Sequence, residues 1–257
     1  MKILIVGAGK MGTFLTDALC FKHEVAVFDT DISKLRFVFN TQRLSKLEEI
    51  KNFDPEMVIN SVTIKYTIDA FQQIMPYISS QCILSDIASV KTGLPEFYAT
   101  CGHRFVSTHP MFGPTFANLT DLMNHNAIII SESDHMGKTF FKDFYGSLRL
   151  NLFEYSFEEH DKTTAYSLSI PFASTLAFCS VMKHQDAPGT TFKRHMDIAR
   201  GLLSEDDYLL SEILFNPYTG DQLEKICNEM NLLLDICRTK DKERFQSFIT
   251  KARENIK

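Results

Sequence analysis

A histidine stands where a short apolar run gives way to a loop, in the stretch FVSTHPMFGP that runs from Phe105 to Pro114. The imidazole of His109 is the side chain that most readily takes up or releases a proton near neutral pH. One histidine at such a junction is more often a hydrogen-bonded structural residue than a catalyst. A role for His109 as a general base therefore depends on the elements that surround it, including the turn predicted at Gly113-Pro114.

Three glycines follow the first apolar run of the chain with the spacing G-x-G-x-x-G. Glycines there permit a tight turn and a close approach of the backbone to a pyrophosphate, while the N-terminus of the next helix offers N–H groups to the anion. The motif predicts a dinucleotide site. Its predicted cofactor-binding residues are Gly7, Gly9, Lys10, Met11 and Gly12.

An acidic residue, Asp29, ends the second apolar run, HEVAVFD. Its carboxylate could accept hydrogen bonds from the ribose of adenosine and would repel a 2′-phosphate, so the sequence predicts NAD rather than NADP. Lys34 and Arg36 follow closely and keep NADP open as an alternative. Asp29 could instead only begin the turn at residues 29–31.

A second polar segment, SDIASVKTG from Ser85 to Gly93, also follows a predicted strand. Open parallel sheets bind their ligands at the carboxyl ends of the strands, which makes Ser89 a candidate site residue. Ser89 could equally be the N-cap of the helix that follows.

The elements that must position these residues alternate between short β-branched runs and helix-like segments as far as about residue 155. This alternation is typical of a parallel sheet, and the lack of polar alternation within most runs predicts strands covered by helices on both faces. The predicted strands are KILIVG (2–7), EVAVFD (24–29), MVINSV (57–62), CILSDI (82–87), FVSTH (105–109), AIIISE (127–132) and LRLNLFEY (148–155).

After Phe157 the apolar residues recur at three- and four-residue spacing over lengths that no strand reaches. Turns are predicted at residues 187–189 and 216–220, where proline and glycine interrupt the pattern. We therefore predict an α/β protein with a doubly wound, dinucleotide-binding domain at residues 1–156 and an all-helical domain at residues 157–257.

The composition excludes several classes of function. A formal charge of -5 and scattered basic residues give no electrostatic footprint for nucleic acid. The N-terminal apolar run is too short for a signal peptide, and no later stretch is predicted to span a membrane, so we expect a cytoplasmic protein. The six cysteines show no C-x-x-C spacing, and no metal site is predicted.

Four segments in chain order, GAGKMG, DIASVK, HPMFGP and EHD (Glu159, His160, Asp161), resemble the prephenate dehydrogenase family, which includes the arogenate dehydrogenases. The resemblance spans nearly the whole chain, and HPMFGP after DxASVK is more specific than the glycine motif. It implies a Rossmann domain joined to a helical domain that forms a homodimer. It also implies NAD-dependent oxidative decarboxylation of prephenate, or of arogenate, in tyrosine biosynthesis.

The resemblance assigns roles to three of these residues. Prephenate carries a carboxylate at C1 and a hydroxyl at C4 of its ring; a hydride leaves C4 for the nicotinamide while the C1 carboxylate departs as carbon dioxide. The family's catalytic histidine corresponds to His109, which would take the hydroxyl proton. Ser89 would hydrogen-bond His109 or the hydroxyl. His160 would assist substrate binding, unless it caps a helix or joins the domains.

The chain departs from the family on the helix FKRHMDIARG, where relatives carry an arginine and this sequence has Asp197 or Gly201. Because guanidinium groups suit carboxylates, Arg200 first and Arg194 second are the predicted substrate-binding cations. The alternative is a solvated face on which both arginines pair with Asp197.

A second departure is Phe172, which stands where many relatives have a histidine twelve residues after that of EHD. This leaves the side chain of the substrate open, because the pyruvyl group of prephenate and the alanyl group of arogenate differ in charge. The remaining alternatives are a two-domain reductase acting on a hydroxy acid or an imine, and a nucleotide-sensing module without catalysis.

Overall fold

The structure, a computed structural model, describes residues 1–39, 41–112 and 122–257, so the predicted turn at Gly113-Pro114 lies outside the described residues. Two compact units are present, Met1–Asp161 and Lys162–Lys257. The division falls five residues after the predicted boundary at 156/157. It does so because Phe157, the first residue of a helix, packs on the core of the first unit.

The first unit contains an eight-stranded sheet in the order β3-β2-β1-β4-β5-β6-β7-β8. Its strands are β1 (Lys2–Val6), β2 (Glu24–Phe28), β3 (Gln42–Leu44), β4 (Met57–Asn60), β5 (Ile83–Asp86), β6 (Phe105–Pro110), β7 (Asn126–Ile130) and β8 (Asn151–Tyr155). Neighbouring strands in the described sheet are parallel except for β6 and β7, which pair antiparallel. The predicted α/β class with a doubly wound sheet is confirmed.

Helices cover both faces of this sheet. They are α1 (Lys10–Leu19), α2 (Ile32–Leu35), α3 (Leu47–Phe53), α4 (Thr67–Ile74), α5 (Leu94–Thr100), α6 (His135–Ser147) and α7 (Phe157–Thr164). On one face Leu15 of α1 and Phe141 of α6 pack with strand residues, and on the other Phe71 of α4 and Leu94 of α5 do so. Burial of apolar side chains on both faces explains the continuous apolar runs of the strands.

Two features of the sheet differ from the prediction. The short strand β3 reads QRL, which has no apolar run and gives no strand signal. The edge strand β8 is largely exposed, so the expectation of burial on both faces fails there.

The second unit is helical as predicted, and its helices are more numerous than the periodicity suggests. They are a π-helical turn (Ala165–Ser169), α8 (Ile170–Val181), α9 (Thr190–Leu202), α10 (Asp207–Leu214), α11 (Thr219–Thr239) and α12 (Lys242–Glu254). Between the two predicted turns, and again after the second of them, the chain forms two helices rather than one. The second helix of each pair starts after an aspartate N-cap, Asp206 or Asp241, whose side chain accepts hydrogen bonds from the first turn.

Helix α7, the π-helical turn and α8 follow one another without a break from Phe157 to Val181. By length and composition this continuous helix could cross a membrane, contrary to the prediction that no stretch of the chain could do so. Only 17% of its most apolar window is buried. A single helix that meets this criterion of length and composition does not by itself assign a membrane to the chain.

Candidate active site

A cavity of about 510 Å³ opens at the carboxyl ends of β1, β2 and β4. Gly7 and Gly9 line it beside Asp29. Tyr66, in the segment before α4, also lines it. Carboxyl ends of parallel strands are where open α/β sheets bind nucleotides. The cavity therefore occupies the place that the glycine motif predicts.

The three glycines meet distinct steric demands. Gly7 has a φ of +100°, which favours glycine, and a Cβ there would lie 3.0 Å from the backbone nitrogen of Val62. A Cβ on Gly12 would lie 1.9 Å from the carbonyl oxygen of Gly7, so α1 can pack this close to β1 only with glycine. A Cβ on Gly9 would meet nothing within 4 Å, which leaves open space beside the backbone for a ligand.

Lys10 and Met11, both predicted to bind the cofactor, are not among the residues that line the cavity. They begin α1, where amide N–H groups lack acceptors within the helix and can bind an anion. The side chain of Met11 packs against the core instead. Any contribution of Met11 to cofactor binding is thus through its backbone.

Asp29 is 8% exposed and lines the cavity. Its carboxylate accepts hydrogen bonds from the amides of Ala8, at 2.7 Å, and Asp31, at 2.8 Å. The Lys34 ammonium lies 3.8 Å away. Asp29 therefore begins the turn after β2 and also faces the predicted adenosine site, so its two interpretations are compatible.

His109 lies at the same edge of the sheet as the glycine turn. Four residues are in register across β1, β4, β5 and β6, namely Val6, Asn60, Asp86 and Ser107. His109 follows Ser107 by two residues. Because side chains alternate along a strand, His109 is on the same face as Ser107. The chain thus brings an imidazole and the cavity to one edge.

A chain of hydrogen bonds runs from this imidazole to a carboxylate. His109 Nδ1 is 3.0 Å from His160 Nε2, and His160 Nδ1 is 3.1 Å from Asp161 Oδ1. Burial lowers the pKa of His109 well below its ordinary value, and the nearby His160 and Lys91 lower it further. Burial also lowers the pKa of His160. His109 is therefore neutral near pH 7, as a general base must be.

Helix α7 carries His160 to this position because its first turn is anchored on β6. The ring of Phe157 stacks on that of Phe105, at the start of β6, with centroids 6.2 Å apart. His160 follows one turn later and is fully buried, with both ring nitrogens engaged. In the structure the side chain of His160 contacts that of His109, and its predicted assistance in substrate binding stays a prediction.

A buried ion pair underlies the same edge. The ammonium of Lys91 lies 2.5 Å from Asp86 Oδ2 and donates to the carbonyl oxygen of Thr108 at 2.8 Å, and both charged side chains are fully buried. The hydroxyl of Tyr98 donates to the other oxygen of Asp86 at 2.8 Å. Lys91 thus holds the backbone of the residue that precedes His109. Sequence reasoning missed it, although the acid and the lysine both stand in DIASVK.

Ser89 occupies a half-buried bend between β5 and α5. The N-cap of α5 is Gly93, so the interpretation of Ser89 as that cap is wrong. Among the described residues no hydrogen bond joins Ser89 to His109. Its contact with the substrate hydroxyl stays a prediction.

The predicted cations lie on α9 of the second unit. Arg200 lines a cavity of about 500 Å³ together with Lys183, Lys193 and Asp197. Its guanidinium is 3.1 Å from Asp197, and both side chains are 72% exposed. Arg194 is exposed and is not among the residues that line this cavity. Of the two arginines only Arg200 lines this cavity, and its exposed pair with Asp197 is what the alternative of a solvated face expects. A role for either arginine in substrate binding stays a prediction.

The free energy of unfolding should fall as the pH drops below about 6.5, the ordinary pKa of histidine. The folded-state pKa values of His109 and His160 are lowered, so the unfolded chain takes up protons first and stability is lost as the pH falls towards the folded values. Above pH 6.5 this contribution is fully present. Urea denaturation at pH 8, 6.5 and 5.5 measures how steeply the free energy of unfolding falls with pH. The fall should be smaller in His160→Gln. An equal fall in the variant would contradict the lowered pKa of His160 as its cause.

Comparison with known proteins gives a family. Residues 19–149, just over half of the chain, match the model of the family described as prephenate dehydrogenase, nucleotide-binding domain. A probable arogenate/prephenate dehydrogenase of Methanocaldococcus jannaschii is 21% identical over 216 residues, which are 78% of this chain and 48% of that protein. The chain thus spans about half the length of this curated relative.

Solved structures share the fold along the whole chain. The prephenate dehydrogenase of Aquifex aeolicus, solved with hydroxyphenyl propionate and NAD+, superimposes with a TM-score of 0.82 at 20% identity and covers 100% of this chain and 98% of its own. The Synechocystis arogenate dehydrogenase gives 0.77 at 16% identity, with coverage of 99% and 98%. The predicted resemblance and nucleotide cofactor are confirmed. Since the matched nucleotide-binding domain makes up more than half of its length, the chain belongs to the prephenate dehydrogenase family.

Proposed function

We propose that this chain is an NAD-dependent prephenate dehydrogenase that converts prephenate to 4-hydroxyphenylpyruvate and carbon dioxide. The observation that carries the proposal is a buried, neutral imidazole at the edge of the sheet where the glycine turn opens its cavity. Neither feature alone assigns an oxidation. Together they bring a proton acceptor and a dinucleotide site to one edge of a single sheet.

The residues of the cavity fit a dinucleotide. Gly7 and Gly12 allow the backbone and α1 to approach closely, and the open space beside Gly9 lies at a helix N-terminus, where a pyrophosphate is favoured. When bound, NAD supplies the acceptor for the hydride of C4, while the bond from C1 to the carboxylate breaks and its electrons complete the aromatic ring.

The chain's own part in the reaction is to move one proton. His109 accepts the proton of the C4 hydroxyl at Nε2, the nitrogen that does not face His160, as the C4–H bond breaks. Once the carboxylate has left, the ring oxygen carries negative charge, and the imidazolium returns the proton to it. The product hydroxyl is restored and no proton is consumed or released overall.

NAD is proposed over NADP because of the carboxylate of Asp29, which would meet the ribose hydroxyls with hydrogen bonds and a 2′-phosphate with repulsion. Lys34 lines the same cavity and is half-exposed, which is the observation that favours some tolerance of NADP.

Prephenate is proposed over arogenate because the family whose model the chain matches is described as prephenate dehydrogenase. A structure of the same fold that covers the whole chain is a prephenate dehydrogenase solved with NAD+. The two substrates differ in the side chain, since arogenate carries an ammonium group that prephenate lacks. Arogenate dehydrogenase is the second candidate, since the family contains both activities and a neighbour of the same fold is an arogenate dehydrogenase.

Steady-state assays with prephenate and arogenate, each with NAD and NADP, test the proposal. We expect the highest kcat/KM for prephenate with NAD, and a smaller preference for NAD in Asp29→Asn. A preference for arogenate would transfer the assignment to the second candidate. Binding of NAD without turnover of either substrate would favour the nucleotide-sensing module.

A homodimer is part of the proposal. Large apolar side chains of the second unit are exposed, among them Val181 at 76%, Ile198 at 61% and Phe215 at 79%. Surfaces of this kind are typical of chains that associate. Sedimentation equilibrium should give twice the 29.4 kDa mass of one chain; a monomer at micromolar concentration would exclude the dimer.

A further inference from the structure

We propose that His160 and Asp161 are positioning residues that fix the tautomer of His109, so that its Nε2 is the bare nitrogen that accepts the substrate proton. The proposal rests on the proposed function, which makes His109 the base. It adds a cause for the protonation pattern of that base and assigns a role to two residues of α7.

The argument starts at the carboxylate. An ionised aspartate can only accept hydrogen bonds, so the 3.1 Å contact between Asp161 Oδ1 and His160 Nδ1 requires a proton on Nδ1. Asp161 is 24% exposed at its side chain, whereas His160 is fully buried. A neutral imidazole carries one proton, so His160 Nε2 has none and must act as an acceptor.

The second contact transmits this choice to His109. His160 Nε2 lies 3.0 Å from His109 Nδ1, and because the former is an acceptor, the latter must donate its N–H. His109 is then the Nδ1–H tautomer, and its lone pair is at Nε2. If Asp161 were a hydrogen-bond donor, the direction of both hydrogen bonds would reverse. His109 would then present an N–H group at Nε2, where it needs a lone pair.

The same two hydrogen bonds stabilise the charged form of His109 during the reaction. When the O–H bond of the substrate breaks and an N–H bond forms at Nε2, the imidazolium donates from Nδ1 to His160, which in turn donates to Asp161. Charged groups near the pair also act on it: Lys91 disfavours a positive charge on either ring, and Asp86 favours one on His160.

The geometry is specific to this pair of residues in α7. Glu159, the neighbouring acid, accepts hydrogen bonds from the amide and hydroxyl of Ser156 at the start of the helix. It is a natural control, since an acid-to-amide change there removes a charge two residues from Asp161 without changing the histidine chain.

The direct test is NMR of the full-length chain labelled with 15N-histidine, which reads the proton on each ring nitrogen. We expect Nδ1–H with bare Nε2 for both His109 and His160. In Asp161→Asn the amide can donate to His160 Nδ1, and we expect a mixture or a reversal of the tautomers. A wild-type chain in which His109 carries its proton on Nε2 would overturn the proposal, whatever the enzyme assays show.

The kinetic test compares Asp161→Asn, Asp161→Glu and Glu159→Gln. We expect kcat to fall ~100-fold in Asp161→Asn, within the range for loss of a correctly protonated general base, with KM for NAD unchanged. The acid limb of its kcat/KM profile should move to lower pH, because the imidazolium loses its support. Asp161→Glu should recover most of kcat, and Glu159→Gln should retain it.

The outcomes separate this proposal from the proposed function. Full activity in a folded Asp161→Asn chain, with unchanged melting temperature and NAD binding, would contradict the positioning role while leaving the dehydrogenase intact. A wild-type chain without turnover would remove the proposed function, and the NMR result would still decide whether Asp161 sets the tautomers. A purely structural role would lower the melting temperature without moving the acid limb.

Discussion

Replacing His109 with asparagine should lower kcat by ~10²–10⁴-fold, the usual contribution of a general base, while the affinity for NAD changes little. The amide of asparagine can still donate a hydrogen bond towards His160, so the substitution removes the proton acceptor and keeps the neighbouring contact. NAD affinity should persist because His109 is not among the residues that line the glycine-turn cavity. Stopped-flow or steady-state kinetics together with titration calorimetry measure the two effects.

The matched control for this change is His135→Asn. His135 is exposed at the start of α6, on a part of the first unit that the proposed chemistry does not use. We expect wild-type kcat for this variant. Retention of more than about a tenth of the activity in His109→Asn would show that another group takes the proton.

The largest expected effect on stability comes from Lys91→Met, which should lower the free energy of unfolding by ~3–5 kcal/mol. Methionine has nearly the shape of lysine without its charge, so the variant leaves the fully buried carboxylate of Asp86 without a cation. It also leaves the carbonyl of Thr108 without its donor. Urea denaturation measures the loss.

Two further variants separate the cost of the stranded charge from the cost of lost packing. The double variant Lys91→Met with Asp86→Asn should recover part of the loss, because the carboxylate charge is then absent. Lys138→Met removes a lysine from the partly exposed pair with Glu154, and there we expect a change of less than about 1 kcal/mol. Similar losses in Lys91→Met and Lys138→Met would contradict the special status of the buried pair.

The sequence predicts the sheet well wherever burial is complete. Seven of the eight described strands overlap predicted runs, and six of these seven are buried along most of their length, so the pattern that burial imposes on them is visible without a structure. The eighth, β3, is three residues long at the edge of the sheet, and nothing in QRL distinguishes it from a loop. The antiparallel pairing of β6 and β7 is a matter of connection, which periodicity does not encode.

The helix breaks that were missed in the second unit carry a signal of another kind. Lys240 has a left-handed φ of 55°, and Asp241 then caps α12. Neither glycine nor proline marks the break, so a search for those residues passes over it. An aspartate followed by a new apolar period is the available sign.

The site could be predicted in its parts and not in its connections. The types and order of His109, His160 and Asp161 are visible in the sequence, and so is the acid-lysine pair of DIASVK. Which of these side chains are in contact depends on how α7 is placed beside β6. The packing of Phe157 on Phe105 sets that placement. Contacts between residues 51 positions apart are set by tertiary structure alone.

The position of β1 has a consequence for the assembly of the first unit. This strand is complete at Val6, yet it lies between β2 and β4, and its partner Met57 pairs with Ile3 from 54 residues further along the chain. During synthesis on a ribosome, β1 can therefore pair with both of its neighbouring strands only after β4 has emerged. Such non-local pairing slows folding, and it leaves apolar side chains of β1 exposed until β4 has formed.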